Sequence, residues 1–303
     1  MRAATVLLSA LAALALAQRP AFRAGVELVT VPLTVTHRDR DRPIGELTAA
    51  DFRVFEDGVE QEVSLLDHTR RPVSLCIVLD TSNSMTPHRT RLARAAIDAT
   101  LAGLDDEDET AVVGFAGLVN VALTWTPGDR LAPIRWHEWR QGDGTSLFDA
   151  LQAALRLVDQ AANPRPVILL VSDGGENTSQ VPLREIVTTR RQSETLVYAY
   201  RPREPASTVS PDVAAWPRDR DFLPELVGDS GGVVLEMRTS RVAAEAARTL
   251  LDELNAQYTL GYVPKKAPDG KYRKLKVESK NKDLRVRHHG GYLAMPRDSG
   301  PGL

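Results

Sequence analysis

Three short stretches of the 303-residue chain set oxygen-bearing side chains among small residues. They are Asp80-Thr81-Ser82-Asn83-Ser84, Gly142-Asp143-Gly144-Thr145-Ser146 and Ser172-Asp173-Gly174-Gly175. The candidate ligands are the carboxylates of Asp80 and Asp173 and the hydroxyls of Ser82, Ser84 and Thr145. All are hard oxygen donors, which suit Mg²⁺, Mn²⁺ or Ca²⁺ and not Zn²⁺. The alternation Asp-x-Ser-x-Ser lets one tight loop aim three oxygens at one point. With only two carboxylates a divalent ion is about neutralised and stays electrophilic. A carboxylate from a partner could then fill an open coordination position. Glycines at 142, 144, 174 and 175 allow the loops to turn tightly.

The elements around these stretches place them at one edge of a sheet. Residues 73–79 and 167–171 are continuous apolar runs, as expected of strands buried on both faces. The first runs into Asp80 and the second into Ser172. Residues 90–104 and 146–161 carry apolar positions at helical spacing, and further strands are expected at 111–115, 120–124, 195–200 and 233–235. Helices are expected at 183–191, 223–227 and 241–257, with a loop rich in proline and charge at 201–220. Strands alternating with helices predict an α/β fold, a doubly wound and mainly parallel sheet. In such a sheet the loops at the carboxyl ends of the strands gather in one crevice, where ligands bind.

Both ends of the chain read as strands instead. Val29, Val31, Leu33 and Val35 alternate with polar residues or proline, and Thr48 with Asp51 suits a short capped turn. Asp57-Gly58 between two alternating stretches is a hairpin signal, because the pair supplies the positive φ angles of a type I′ turn. Residues 257–263, 272–279 and 284–289 alternate as well. Each end is short for a core of its own. The expected organisation is therefore a β-sandwich-like domain formed by residues 18–70 and 256–295, with the α/β domain, residues 71–255, inserted between them and a tail at 296–303.

The residues quoted now carry a resemblance. Asp80-Thr-Ser-Asn-Ser-Met85, Thr145 and Ser172-Asp173-Gly174 resemble the metal-ion-dependent adhesion site of von Willebrand factor type A domains, a Rossmann-like fold. The resemblance implies that Ser82, Ser84 and Thr145 bind the metal directly, and that Asp80 and Asp173 act partly through water. It implies Mg²⁺ as the first choice of ion, and a protein partner presenting an acidic side chain. It also implies that movement around Thr145 couples to the last helix. Asn83 stands where the family often has Gly, at a position that is not a ligand. The flanks, Leu47-Thr-Ala-Ala-Asp-Phe-Arg-Val-Phe-Glu-Asp-Gly58 and Tyr258-Thr-Leu-Gly-Tyr-Val-Pro264, resemble an exported bacterial group, the VWFA-related domain proteins common in acidobacteria. That resemblance covers nearly the whole chain after its first residues.

Other features set bounds. Arg2, an apolar run over 3–14 and Ala15-Leu16-Ala17 read as a signal peptide, residues 1–17, cleaved before Gln18. Export to the periplasm or medium is the expectation, with no stable membrane insertion after cleavage, since nothing later approaches the roughly 20 apolar residues a span needs. The formal net charge of −2 suggests neither nucleic acid nor an anionic membrane as the main partner. The single cysteine, Cys76, excludes an internal disulfide and reads as a buried small hydrophobe. Gly228-Asp-Ser-Gly-Gly232 copies a serine-protease nucleophile motif but lacks a matching His motif, so it reads as a turn. His288 and His289 are neighbours on a strand and cannot chelate one ion together. Asp105 to Glu109 lacks calcium-loop spacing. The segment Trp136-His-Glu-Trp139 is either core or a rim of the site. Between Lys265 and Arg287 ten basic residues face three acids, which suits either a protected sheet edge or a surface for an acidic protein or polysaccharide.

These readings converge on a binding module rather than an enzyme. The alternatives are a metal-dependent hydrolase, for which Glu176 and Asp143 are the nearby candidate bases, and a structural subunit of a cell-surface complex.

Overall fold

The computed structural model describes residues 28–39, 42–130, 142–193, 195–205 and 220–296. The signal segment, the Trp136–Trp139 segment and nearly all of the C-terminal tail lie outside the described residues.

A six-stranded sheet forms the middle of the molecule. Its strands are β5 (Val73–Asp80), β6 (Glu109–Phe115), β7 (Val119–Pro127), β8 (Arg165–Val171), β9 (Leu196–Pro202) and β10 (Val234–Met237), in the order β10-β9-β8-β5-β6-β7. All pairings are parallel except β6 with the edge strand β7, which is joined to it by a tight hairpin. All eight residues of β5 are buried. Its alternate side chains feed two cores. Leu75, Ile77 and Leu79 pack with α1 (Pro87–Leu101) and the last helix, α5 (Ser240–Asn255). Cys76 and Val78 pack with α2 (Leu147–Val158), α3 (Leu183–Gln192) and the short α4 (Leu223–Val227). The sheet is thus covered on both faces, which is why its central strands can be apolar throughout. Each fully buried aliphatic side chain there contributes roughly 1.5–3 kcal/mol.

The helix boundaries differ from the expected ones at α1. It starts at Pro87, three residues earlier than apolar spacing suggests. Proline fixes the first-turn φ and has no N–H to leave unpaired, and the Thr86 hydroxyl accepts the Arg89 N–H at 3.3 Å.

The chain ends build two four-stranded antiparallel sheets. One has the order β13-β1-β11-β4 and the other β14-β12-β2-β3. These strands are β1 (Val29–His37), β2 (Phe52–Glu56), β3 (Val59–Gln61) and β4 (Val63–Asp67) from the N-terminal end. From the C-terminal end come β11 (Tyr258–Tyr262), β12 (Tyr272–Ser279), β13 (Leu284–His288) and β14 (Gly291–Leu293). Both sheets mix strands from both ends and share one core of Val31, Leu33, Val54, Leu260, Leu275 and Val277. Asp57 and Gly58 have φ of 48° and 82°, as the type I′ turn between β2 and β3 requires. The alternation of β1 is only partly a solvent alternation. Thr34 and Thr36, on its polar face, are 1% and 2% exposed. The reason is tertiary: Thr34 meets Tyr198 of β9, so this strand has a second buried face.

The two halves are joined by more than the chain. Arg287 of β13 forms an ion pair with Glu253 of α5, and the Gly290 N–H donates to the Asp229 carbonyl at 2.8 Å. The Gly228–Gly232 turn lies at this junction. Ser230 is 1% exposed, accepts the Val197 N–H at 3.1 Å and donates within the turn, so its hydroxyl serves packing and not nucleophilic attack.

Candidate functional site

Asp80 ends β5 at the carboxyl edge of the central sheet and is 2% exposed. Its Oδ1 accepts the Ser82 N–H at 2.9 Å and its Oδ2 accepts the Ser172 hydroxyl at 2.6 Å. Those bonds do not offset what burial does. Desolvation, with the charge of Asp173 added, pushes the Asp80 carboxyl up to about 6.

The loop after Asp80 is held in place by its neighbour. The Asn83 N–H donates to the Gly142 carbonyl and the Gly142 N–H to the Thr81 carbonyl, each at 3.1 Å, and the Asn83 side chain donates to Asp143. The 142–146 loop is tied in turn to the third stretch. The Thr145 N–H donates to Asn177 Oδ1 at 2.8 Å and the Thr145 carbonyl accepts the Asn177 N–H at 3.0 Å. Three loops from separate parts of the chain are therefore fixed to one another by backbone bonds. That rigidity is what lets short side chains converge.

The structure brings Ser82, Ser84, Thr145 and Asp173 to the wall of one cleft of about 510 Å³. Asp80 lies beneath it. The Ser82 and Ser84 hydroxyl oxygens are 3.0 Å apart, aimed at the same region. Among the described residues no group of three or more carboxylate, imidazole or thiol ligands forms. A cation here would depend on hydroxyl oxygens as much as on Asp80 and Asp173. The donor set fits a hard divalent ion in chemistry, with the Asp173 carboxylate shared with Arg89.

The cleft also holds residues that the sequence reading did not single out. Arg89, in the first turn of α1, pairs with Asp173 and donates to the Ser84 carbonyl at 2.8 Å. Glu204, just past β9, accepts the Thr86 hydroxyl and lies 3.7 Å from Arg89 Nε. Arg203 and Arg238 line the same cleft. The signal for Glu204 was available, since the rule that placed the other loops at the carboxyl ends of strands applies equally to β9.

Both candidate bases are engaged. Glu176 accepts the Thr178 and Ser179 N–H groups on Oε1, at 2.9 and 2.8 Å, and the Ser179 hydroxyl and Phe148 N–H on Oε2, at 2.6 and 3.1 Å. It caps the start of α2 and the turn beside it. Asp143 takes the Asn83 amide on one oxygen.

Elsewhere, Cys76 is fully buried and burial pushes its thiol up to about 12, so it is a packing residue. His288 and His289 bond to backbone, the first through Nε2 to the Val277 N–H and the second through Nδ1 to the Gly291 carbonyl. Among the described residues no helix is long and apolar enough to cross a membrane.

A Rossmann-like sheet with a cleft of this donor set at its carboxyl edge defines a class of domain. Residues 75–176 match the family model described as von Willebrand factor type A domain. No protein of curated function matches the chain. Solved structures similar to it include a von Willebrand factor type A structure from Catenulispora acidiphila, at 17% identity and a TM-score of 0.48, over 80% of this chain. The chain spans 62% of the length of that relative. A conserved hypothetical protein BatB from Bacteroides thetaiotaomicron is 21% identical, with a TM-score of 0.42, over 59% of this chain and 97% of that one. The vWF domain of the type V pili tip protein Mfa5 from Porphyromonas gingivalis is 11% identical, with a TM-score of 0.45, over 62% of this chain and 96% of that one.

Proposed function

We propose that this chain is an exported binding module whose cleft holds a divalent cation, Mg²⁺ first and Mn²⁺ or Ca²⁺ as alternatives, at which a partner protein docks an acidic side chain. The observation that carries the reading is the convergence of Ser82, Ser84, Thr145 and Asp173 on one cleft above the buried Asp80. When bound, the ion would supply an electrophilic point for a carboxylate oxygen. The chain's own residues do the rest. Ser172 and the Ser82 N–H hold Asp80 in place, and the backbone ties among the three loops keep the hydroxyls converged. Arg203 and Arg238 line the same wall in ion pairs with Asp221 and Glu236. Binding without turnover is part of the proposal, as Glu176 is committed to capping. Export rests on the signal-like first 17 residues.

Calorimetric titration of Mg²⁺ and Mn²⁺ into the wild type and an Asp80→Ala variant tests the site. One-site binding by the wild type and none by the variant is expected. Equal heats from both proteins would remove the cation from this cleft. A capture experiment with immobilised protein, with and without chelator, then tests the partner, and retention that ignores chelator would sink the docking mechanism.

A further inference from the structure

The basic C-terminal strands are unused by the cleft, and the structure gathers part of them into a second recess. The chain leaves β12 in one sheet and enters β13 in the other through residues 280–283. At that corner the two sheets leave a slot of about 530 Å³. Among the described residues Arg38, Arg53, Lys280, Lys282 and Arg285 line it, against one acid, Glu278. The ion pairs at the slot are Arg53 with Glu60 and Lys276 with Glu278. Among the described residues Lys280, Lys282 and Arg285 form none, and all three are exposed.

The scaffold under these cations is fixed. The Lys280 N–H donates to the Asp51 carbonyl at 2.8 Å, the Arg38 N–H to the Asp283 carbonyl at 2.9 Å and Arg38 Nε to the Lys282 carbonyl at 2.7 Å. Asn281 closes the turn, accepting the Asp283 N–H at 2.9 Å. With the backbone of this corner fixed, an anion that binds there has only the side chains of Lys280, Lys282 and Arg285 to order. A solvated edge needs charge to resist strand addition, but it does not need a recess.

We infer that this slot binds an anionic polysaccharide, one carrying a carboxylate on each sugar. Its size falls within the roughly 300–1,000 Å³ of ligand clefts and suits a short oligomer rather than a single ion. The half-buried Val286 gives it a small aliphatic patch, beneath which Val277 and Leu284 belong to the core. Ser279, Asn281 and Glu278 sit between the cations and can exchange hydrogen bonds with hydroxyls. Among the described residues no aromatic side chain lines it, so bases have nothing to stack on, against a single-stranded nucleic acid. None of the exposed large hydrophobic residues lies in it, so it lacks the apolar centre of a protein interface. A recessed corner is also the wrong shape for a flat membrane.

The test is calorimetry of the intact protein with oligogalacturonate in chelator, beside dextran and hexaglutamate. Chelator removes any contribution from the cation site, so failure here and failure of the proposed cleft are separate results. Binding of oligogalacturonate alone is expected, weakening as salt rises. Joint replacement Lys280→Glu, Lys282→Glu and Arg285→Glu should weaken it by about tenfold or more with the melting temperature unchanged. Absence of binding, or an unchanged affinity in the triple variant, overturns the inference. Hexaglutamate binding as tightly as the sugar overturns it too, in favour of an acidic protein.

Discussion

Replacing Asp80 with Asn separates stability from binding, because the two should move in opposite directions. Asp80 is 2% exposed and its carboxyl titrates at about 6 in the fold, against an ordinary 3.8. One pKa unit is about 1.4 kcal/mol, so carrying the charge costs the cation-free fold about 3 kcal/mol at neutral pH. Since the folded value lies above the unfolded one, the stabilising contribution of Asp80 is complete below 3.8 and is lost as pH rises through about 6. Asn keeps one acceptor for the Ser82 N–H and removes the charge, but it must re-partner Ser172. Discounting for that bond, Asp80→Asn should be more stable than wild type by about 1–2 kcal/mol in chelator at pH 7.5. The assay is urea denaturation of both proteins from pH 4 to 8, with and without Mg²⁺. The gap between them should open as pH rises through about 6. Saturating Mg²⁺ should raise wild type alone, by about 2.7 kcal/mol at 100 times the dissociation constant, and reverse the order. A variant less stable than wild type in chelator would refute the argument from burial. Equal stabilisation of both by Mg²⁺ would refute the site.

Glu56 is 1% exposed and accepts Arg273 at 2.6 Å and the Tyr262 and Tyr292 hydroxyls at 2.8 Å each. Glu56→Gln leaves the buried Arg273 guanidinium with the more exposed Asp269 as its carboxylate partner and should cost about 2 kcal/mol in urea denaturation, with the slope unchanged. Burial lowers His288 and His289 below their ordinary 6.5, so their stabilising contribution is present above 6.5 and is lost as pH falls below it. His289→Asn, which keeps a donor for the Gly291 carbonyl, should flatten that decline in a pH series of melting temperatures. A Cβ at Gly232 would lie 2.0 Å from the Val197 carbonyl oxygen on β9, and Gly232→Ala should lose about 3 kcal/mol by the same denaturation assay. Phosphate-ester turnover with Mg²⁺ or Mn²⁺ should be indistinguishable between wild type and Asp143→Asn, and a clear loss in the variant would favour the hydrolase reading.

What the sequence reveals depends on how local the cause is. The period of two in Val29 to Val35 and the Asp57-Gly58 turn depend on backbone geometry within a few residues, and both appear in the structure. The apolar run from Val73 is legible because a strand covered on both faces has no polar side to show. The three loops of the cleft could be brought together by one topological rule, without any distance being known. The parts that stay hidden have distant causes. Glu56 shares the inward face of its strand with Phe52 and Val54, and only Arg273, Tyr262 and Tyr292, some 200 residues on, show how a carboxylate is held there. Thr34 reads as the outer face of a half-buried strand until β9 brings Tyr198 against it. Arg89 looks like an ordinary helix surface residue, and its place beside Asp173 follows from α1 starting at Pro87 instead of Thr90.

The proposal of binding without turnover rests on what the residues of the cleft already hold. A hydrolase at a divalent ion needs a base with a free lone pair near the attacking water. Glu176 has four donors on its two oxygens, and taking a proton would break the cap that starts α2 and so shift Thr145, one of the converged hydroxyls. The residue best placed by sequence to act as base is thus the one whose movement would disassemble the site. A carboxylate arriving from a partner asks for none of this. On the proposed reading it needs an open position and two or three rigid hydroxyls, and Ser82, Ser84 and Thr145 line the cleft without any group having to change its protonation.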